Sequence, residues 1–299
     1  MANPIVIETT DLKKSYGGVE AVRGLNLQVP GGSICGFLGR NGAGKTTTIK
    51  VLLGMARPSG GQARVFGLAA DVQGTSVEIR RRTAFVSDDK DLYGYMTVEE
   101  MIRFTAAFYP RWRSYMEQRY LRTFELPLDR KVKALSRGMR TKLALLLALC
   151  RGVELLVLDE PTSGLDPAMT EEVLQALVAH VASEEMTVFF SSHQIAEVDQ
   201  IADRVAIIDR GRAVVAGTLD ELRESFRRIQ LVFDGDAPKP AFQTPGVERV
   251  WRKGRVLTVL SSAGDAGLLA EARALGPISI NVVPVTLKEI FLDTVTEED

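Results

Sequence analysis

The stretch GRNGAGKT, Gly39 to Thr46, has the spacing G-x-x-x-x-G-K-[ST] and stands between a strand-like run, SICGFLG, and a helix-like one, TTTIKVLLGM. Glycines there let the backbone curl until successive N–H groups face a polyphosphate, and a helix start adds its dipole. In that reading the loop from Gly39 to Thr46 cradles a triphosphate. Lys45 bridges the β- and γ-phosphates, and the Thr46 hydroxyl ligates Mg2+. A second apolar run, LLVLDEP, ends on two acids. Asp159 is placed to hold Mg2+ through water, and Glu160 to polarise the attacking water. His193 follows a third such run, TVFFSS. Alone, adjacent acids merely solvate a loop and a lone His is a polar strand tip. Together, three strand ends converge on one triphosphate, with His193 at its γ end.

A further stretch, ALSRGMRTKLALLLALC, begins with a good N-cap, Ser136, and continues into an apolar helix. Arg137, Arg140 and Lys142 fall in its first two turns, where the helix dipole disfavours a cation by roughly 0.3–1 kcal/mol each. Either the three side chains face water, or something anionic docks there.

The elements that position these residues follow from pattern. The chain has 299 residues, 25% charged and 45% hydrophobic, with net charge −1. This is ordinary globular composition with no basic field to attract nucleic acid. Cys35 and Cys150 lie in apolar runs without metal-ligand spacing and read as buried thiols of a reducing compartment. MANPIVIETT lacks the basic start and apolar segment of a secretory signal. The apolar run LALLLALC is far below the ~20 residues that cross a bilayer. Membrane work through a partner stays open. IVIET, AVRGLNLQV and SICGFLG read as opening strands, followed by ARVFG, TAFVS, LLVLD, TVFFSS and RVAIID. Apolar runs alternating with helices predict an α/β fold with a mainly parallel core sheet and an antiparallel β-portion at the start. A helical insertion spans about 88–152. Thr97 opens one helix with a capping box, Pro110 ends it, and a second helix covers Ser114 to Phe124. Eight aromatics gather there (Tyr93, Tyr95, Phe104, Phe108, Tyr109, Trp112, Tyr115 and Tyr120), most expected in a small helical core and some available as a docking surface. From 226 to 299 the pattern changes to a small α+β appendage: a strand, a hairpin, a helix, a strand and a last helix.

In family order, GRNGAGKTT, LSRGM, LLVLDEPTSGLD and SSH resemble the ATP-binding subunit of an ABC transporter, over about Ile5 to Leu222. The resemblance implies a P-loop ATPase domain over 1–225, with 226–299 as accessory domain, and ATP and Mg2+ as its cofactors. It implies that Tyr16 stacks on adenine, that Gly39, Arg40, Asn41, Gly42, Ala43, Gly44, Lys45, Thr46 and Thr47 hold the phosphates of ATP, and that Glu160 is the catalytic base, Asp166 the D-loop aspartate and His193 the switch histidine. It makes LSRGM (Ser136, Arg137, Gly138 and Met139) the signature that contacts ATP held by a second ATP-binding subunit. That supplies the anion at the cationic helix start. Two positions depart from the family. Arg137 replaces the first signature glycine and Met139 the glutamine, while Asp88 stands where a glutamine usually couples Mg2+ to the membrane partner. An aspartate can hold a metal or water but cannot donate as an amide does. These variants, with FYPRW and the appendage, resemble bacterial ABC-2-type exporter ATPases of the antibiotic-efflux and lantibiotic-immunity kinds. The implied partners are an integral membrane permease and a second copy of the chain, with no nucleic acid. The implied location is cytoplasmic, peripheral on the inner face of the membrane. A soluble ABC ATPase of ribosomes or DNA is the competing reading. It fits less well because there is one P-loop and no sustained heptad run. A small-molecule kinase would leave LSRGM and SSH unexplained.

Overall fold

The computed structural model describes residues 3–295 except 185, 241, 263 and 264. It divides into two compact units, Met1–Ala216 and Gly217–Asp299.

In the first unit, β1 (Ile5–Tyr16) and β2 (Val19–Pro30) pair antiparallel over their whole length. The fully buried β3 (Ile34–Leu38) leads through the glycine loop into α1 (Lys45–Leu52). β4 (Gly60–Val65) and β5 (Leu68–Ala69) complete a four-stranded sheet of order β2-β1-β4-β5. Helix α2 (Gln73–Arg82) is not among the sequence expectations: it has no side-chain cap and its residues are mostly polar. It leads into β6 (Thr83–Val86).

The helical insertion follows. Helix α3 (Val98–Ala106) starts on the expected capping box, Thr97 with Glu100, and α4 is Ser114–Thr123. A single 3-10 turn at Val132–Ala134 precedes α5 (Arg137–Leu149). The aromatic expectation is overturned. Tyr120 is buried, but Tyr93, Tyr95, Phe104, Phe108 and Tyr115 are exposed. Within α3, Val98, Met101 and Ile102 turn inward and Phe104 outward, while Phe108 follows the end of the helix and is exposed there.

The chain then returns to the core through β7 (Leu155–Asp159), α6 (Pro167–Glu184), β8 (Thr187–Ser192), α7 (Ile195–Ile201), β9 (Arg204–Asp209) and β10 (Arg212–Thr218). The six-stranded sheet has the order β10-β9-β3-β8-β7-β6. Its β9-β3-β8-β7-β6 pairings are all parallel. Strands β3, β7 and β8 are buried at every position, as continuous apolar runs covered on both faces require. Side chains from both sheets and from α1 share one core that includes Leu25, Phe37, Ile49, Val157 and Phe189. Burying each large apolar side chain stabilises by roughly 1.5–3 kcal/mol relative to exposure. That core clamps β3 and α1, and with them the loop between. Cys35 and Cys150 are buried and burial pushes both thiols up to about 12, so neither is reactive at neutral pH.

In the second unit, α8 (Leu219–Ser225) opens on a Thr218–Glu221 capping box. Strands β11 (Arg227–Val232), β12 (Val247–Lys253), β13 (Val256–Ser261) and β14 (Ser279–Pro284) form an antiparallel sheet of order β12-β13-β11-β14. Helices α9 (Asp265–Ala274) and α10 (Leu287–Thr294) complete it. Its own core includes Ile229, Leu231, Val259 and Leu268.

Candidate phosphate-binding site

The loop between β3 and α1 is set by two glycines. Gly44, the residue before α1, has φ 107°, and a Cβ there would stand 2.4 Å from the Ala21 carbonyl oxygen. Gly39 leaves its buried strand so close to β9 that a Cβ would be 2.6 Å from the Ile208 carbonyl oxygen. No other side chain fits either position. Lys45 is 6% exposed. Its Nζ donates to the carbonyls of Gly39 at 2.8 Å and Arg40 at 3.3 Å, and lies 3.0 Å from Glu160 Oε1. A buried ammonium so enclosed by acceptors is held at the loop it serves.

Two neighbouring strand ends complete the site. Asp159, 3% exposed at the end of β7, accepts from Ser191 Oγ of β8 at 2.5 Å. Glu160 has φ 49°, a sparsely populated conformation for a residue with a side chain. Its N–H is fixed by the Ser191 carbonyl and hydroxyl at 3.2 and 3.1 Å. The turn carries its carboxylate between two cations or donors: Lys45 on Oε1, and His193 Nδ1 on Oε2 at 2.7 Å. A carboxylate only accepts, so Nδ1 carries the proton and Nε2 remains available.

A cavity of about 390 Å3 gathers Ala21, Asn41, Gly42, Gly44, Lys45, Thr46, Thr47, Asp88, Asp159 and Glu160. Thr46, Asp88 and Asp159 bring one hydroxyl and two carboxylates to its wall. Such a set of hard oxygen donors suits a magnesium ion beside a polyphosphate. Gly39, Arg40 and Ala43 shape the loop without lining the cavity, and His193 reaches it through Glu160. Tyr16 is 48% exposed at the end of β1, with Lys14 Nζ 4.5 Å from its ring centroid. Ala21 of β2, which sequence reasoning passed over, lines the cavity where Tyr16 does not.

The remaining expected residues lie outside that cavity. Ser136 caps α5, its Oγ accepting from the Met139 N–H at 3.1 Å, so that N–H is already engaged. Gly138 is buried against α6: a Cβ would be 2.1 Å from Met169 Sδ. Asp166 caps the start of α6, its Oδ1 accepting from the Met169 N–H at 2.9 Å. Two of the three cations of α5 find carboxylates within the chain. Lys142 Nζ is 2.6 Å from Glu172, and an Arg137 nitrogen is 3.5 Å from Asp88. Sequence reasoning also missed Glu197. It is 4% exposed and accepts from Thr162 Oγ1 at 2.5 Å and Ser192 Oγ at 2.8 Å. Burial raises its pKa, against the pull of both hydroxyl donors. Its place four residues after His193 is the only sequence signal it carries.

The comparisons with known proteins agree with this geometry. The ABC transporter family pattern matches residues 22–163. The chain is 36% identical over 225 residues to the bacitracin transport ATP-binding protein BcrA of Bacillus licheniformis, covering 75% of this chain and 73% of that protein. The chain belongs to the ABC transporter ATP-binding proteins. It is also 40% identical over 225 residues to the daunorubicin/doxorubicin resistance ATP-binding protein DrrA of Streptomyces peucetius, covering 73% of this chain and 67% of that protein. A solved ATP-binding subunit of an ABC transporter superposes with TM-score 0.66 at 29% identity, over 73% of this chain and 92% of that one. The ABC ATP-binding domain therefore binds ATP and hydrolyses it for a membrane transporter. Among the described residues no helix is long and apolar enough to cross a membrane.

Proposed function

We propose that this chain is the motor subunit of an exporter, working as a dimer of two copies on a separate integral membrane permease at the inner face of the membrane. One observation carries the reading. Glycine loop, Asp88, Asp159 and Glu160 line one cavity, whereas Ser136–Met139 and Asp166 lie outside it. A signature that cannot serve its own cavity has a use if it meets the triphosphate of a second copy. Hydrolysis needs a base as water attacks the γ-phosphorus: Glu160 takes that proton, the bond to the ADP oxygen breaks, and phosphate leaves. His193 orients Glu160, Lys45 binds the phosphates, and Thr46, Asp88 and Asp159 would hold magnesium. The ion would supply charge stabilisation of the phosphate oxygens. The likeness to a bacitracin transport and a drug resistance protein supports an antibiotic-like cargo carried by the permease. The permease would dock on the helical insertion, where Tyr93, Tyr95, Phe104 and Phe108 make a connected row of exposed rings, with neighbouring centroids 5.1–5.8 Å apart.

The test is a mild-detergent pull-down of the tagged chain from its native cells. Recovery of a multi-span membrane protein in stable proportion is the expected result. Recovery of ribosomes or nucleic acid with ATPase activity intact would overturn the exporter reading in favour of a soluble motor.

A further inference from the structure

The two family departures, Asp88 and Arg137, meet. An Arg137 guanidinium nitrogen lies 3.5 Å from Asp88 Oδ1, and the same nitrogen donates to Ser163 Oγ at 3.1 Å. The guanidinium lies over Gly164, where a Cβ would be 2.4 Å from one of its nitrogens, and Gly164 has φ 70°. Three segments are thus joined by one side chain: the wall of the phosphate cavity, to which Asp88 belongs, the start of α5, and the turn two residues before Asp166. Lys90, 7% exposed, contributes a second cation, its Nζ 3.8 Å from Asp88 Oδ1 and bonded to the Asp88 carbonyl at 3.0 Å.

We infer that Arg137 is a positioning residue for its own subunit's phosphate cavity, acting through Asp88. This rests on the nucleotide reading above and deepens it. An amide at position 88 would be both donor and acceptor and neutral. Asp88 alone is acceptor only and places a negative charge beside a polyphosphate. With Arg137 against it the pair is neutral overall and keeps donors. The same guanidinium, through Ser163, fixes the turn before Asp166 and sits in the first turn of α5. In the dimer those are the surfaces offered to the second ATP, so one ion pair ties a subunit's own cavity to the face it offers its partner. The pair is half-exposed, with side chains 53% and 47% accessible, which sets its scale: roughly 0.2–1 kcal/mol, about 1.4- to 5-fold in an equilibrium constant.

The deciding experiment is equilibrium binding of ATP, in EDTA at low salt, to the purified full chain diluted until it sediments as a monomer. With no partner present, a residue acting only across subunits has no effect. Arg137→Gln is expected to weaken binding by about 1.4- to 5-fold, because it leaves the Asp88 charge facing the phosphates with only Lys90 beside it. Arg137→Lys keeps most of the affinity. In the Asp88→Asn background, Arg137→Gln is expected to change little, since the charge to be neutralised is gone. Unchanged binding by Arg137→Gln in the wild-type background overturns the inference and leaves Arg137 to solvent or to the partner subunit. An equal loss in both backgrounds also overturns it, showing that Arg137 attracts ATP by its own charge. Failure of the unsubstituted chain to bind ATP would instead sink the nucleotide reading, and this inference with it.

Discussion

Replacing Glu197 by alanine tests how the two loops around the phosphate cavity are tied together. Its carboxylate spans the loop after Glu160, through Thr162, and the end of β8 before His193, through Ser192. Thr162 is 1% and Ser192 0% exposed, so both hydroxyls lose their acceptor inside the core. Two hydroxyl bonds to a charged acceptor at about 1.5–3 kcal/mol each give ~3–6, and relief of the buried carboxylate's desolvation returns part, leaving a net cost of about 2–4 kcal/mol. The pH dependence has a definite sign. Burial raises the folded pKa of Glu197, so the folded chain binds a proton more readily than the unfolded one. The stability this contributes is full below the unfolded carboxylate value, ~4.3, and is lost as pH rises through the folded one. Urea unfolding of the wild-type chain and Glu197→Ala, followed across mildly acidic to neutral pH, should show a gap that narrows as pH rises. ATP turnover should fall in Glu197→Ala while the KM for ATP stays within a few-fold, since no cavity wall residue is removed. A gap below about 1 kcal/mol at every pH, or one that widens toward neutrality, would refute the reasoning.

Further consequences concern the frame and the catalytic pair. A Cβ at Gly36 of β3 would stand 2.5 Å from Val198 Cγ1 of α7. Because Val198 is fully buried and stiff at χ1, Gly36→Ala should destabilise by about 1–3 kcal/mol in urea unfolding. Replacing His193 with Ala frees the Glu160 carboxylate from one of its two partners. Steady-state kinetics should show kcat falling by roughly a hundredfold or more, with the KM for ATP nearly unchanged. The Arg82 guanidinium bonds both oxygens of Glu154, at 2.8 and 2.6 Å, and holds that carboxyl below its ordinary value. Its contribution is present above the unfolded carboxylate range and lost as pH falls through the folded value. With Glu154 nearly half-exposed it amounts to less than about 1 kcal/mol, so Glu154→Gln should cost that at pH 7 and progressively less as pH falls below the unfolded carboxylate range, by thermal melting.

What was legible in the sequence was whatever obeys a local rule. Runs such as LLVLD and TVFFSS read as strands because continuous apolarity has few other uses at that length, and the structure buries every residue of both. Thr97 and Glu100 announced the start of α3 by a capping box that is present atom for atom. The glycine loop carried its chemistry in its spacing. What failed were inferences about which face a residue turns. The aromatics of the insertion are hydrophobic by type, but exposure is decided by where the fold puts them: Phe104 on the outer face of α3, and Phe108 past its end. Glu197 was invisible for a related reason. Its partners, Thr162 and Ser192, are brought to it by strand order, and nothing local separates it from an ordinary surface acid.

The start of α5 shows how a broken local rule is resolved at a higher level. Cations at a helix N-terminus oppose its dipole, and the sequence offered solvent or an external anion as the remedy. For two of the three cations the structure supplies an internal carboxylate. Lys142 is buried against Glu172, and the half-exposed Arg137 lies beside Asp88. The Asp88 contact, at 3.5 Å, offsets the dipole penalty on Arg137 in the first turn, and the Glu172 contact, at 2.6 Å, offsets the burial of Lys142 in the second. A triphosphate from a second subunit is therefore not needed to make this helix stable. Any anion presented to the start of α5 meets an Arg137 already engaged by Asp88 and Ser163.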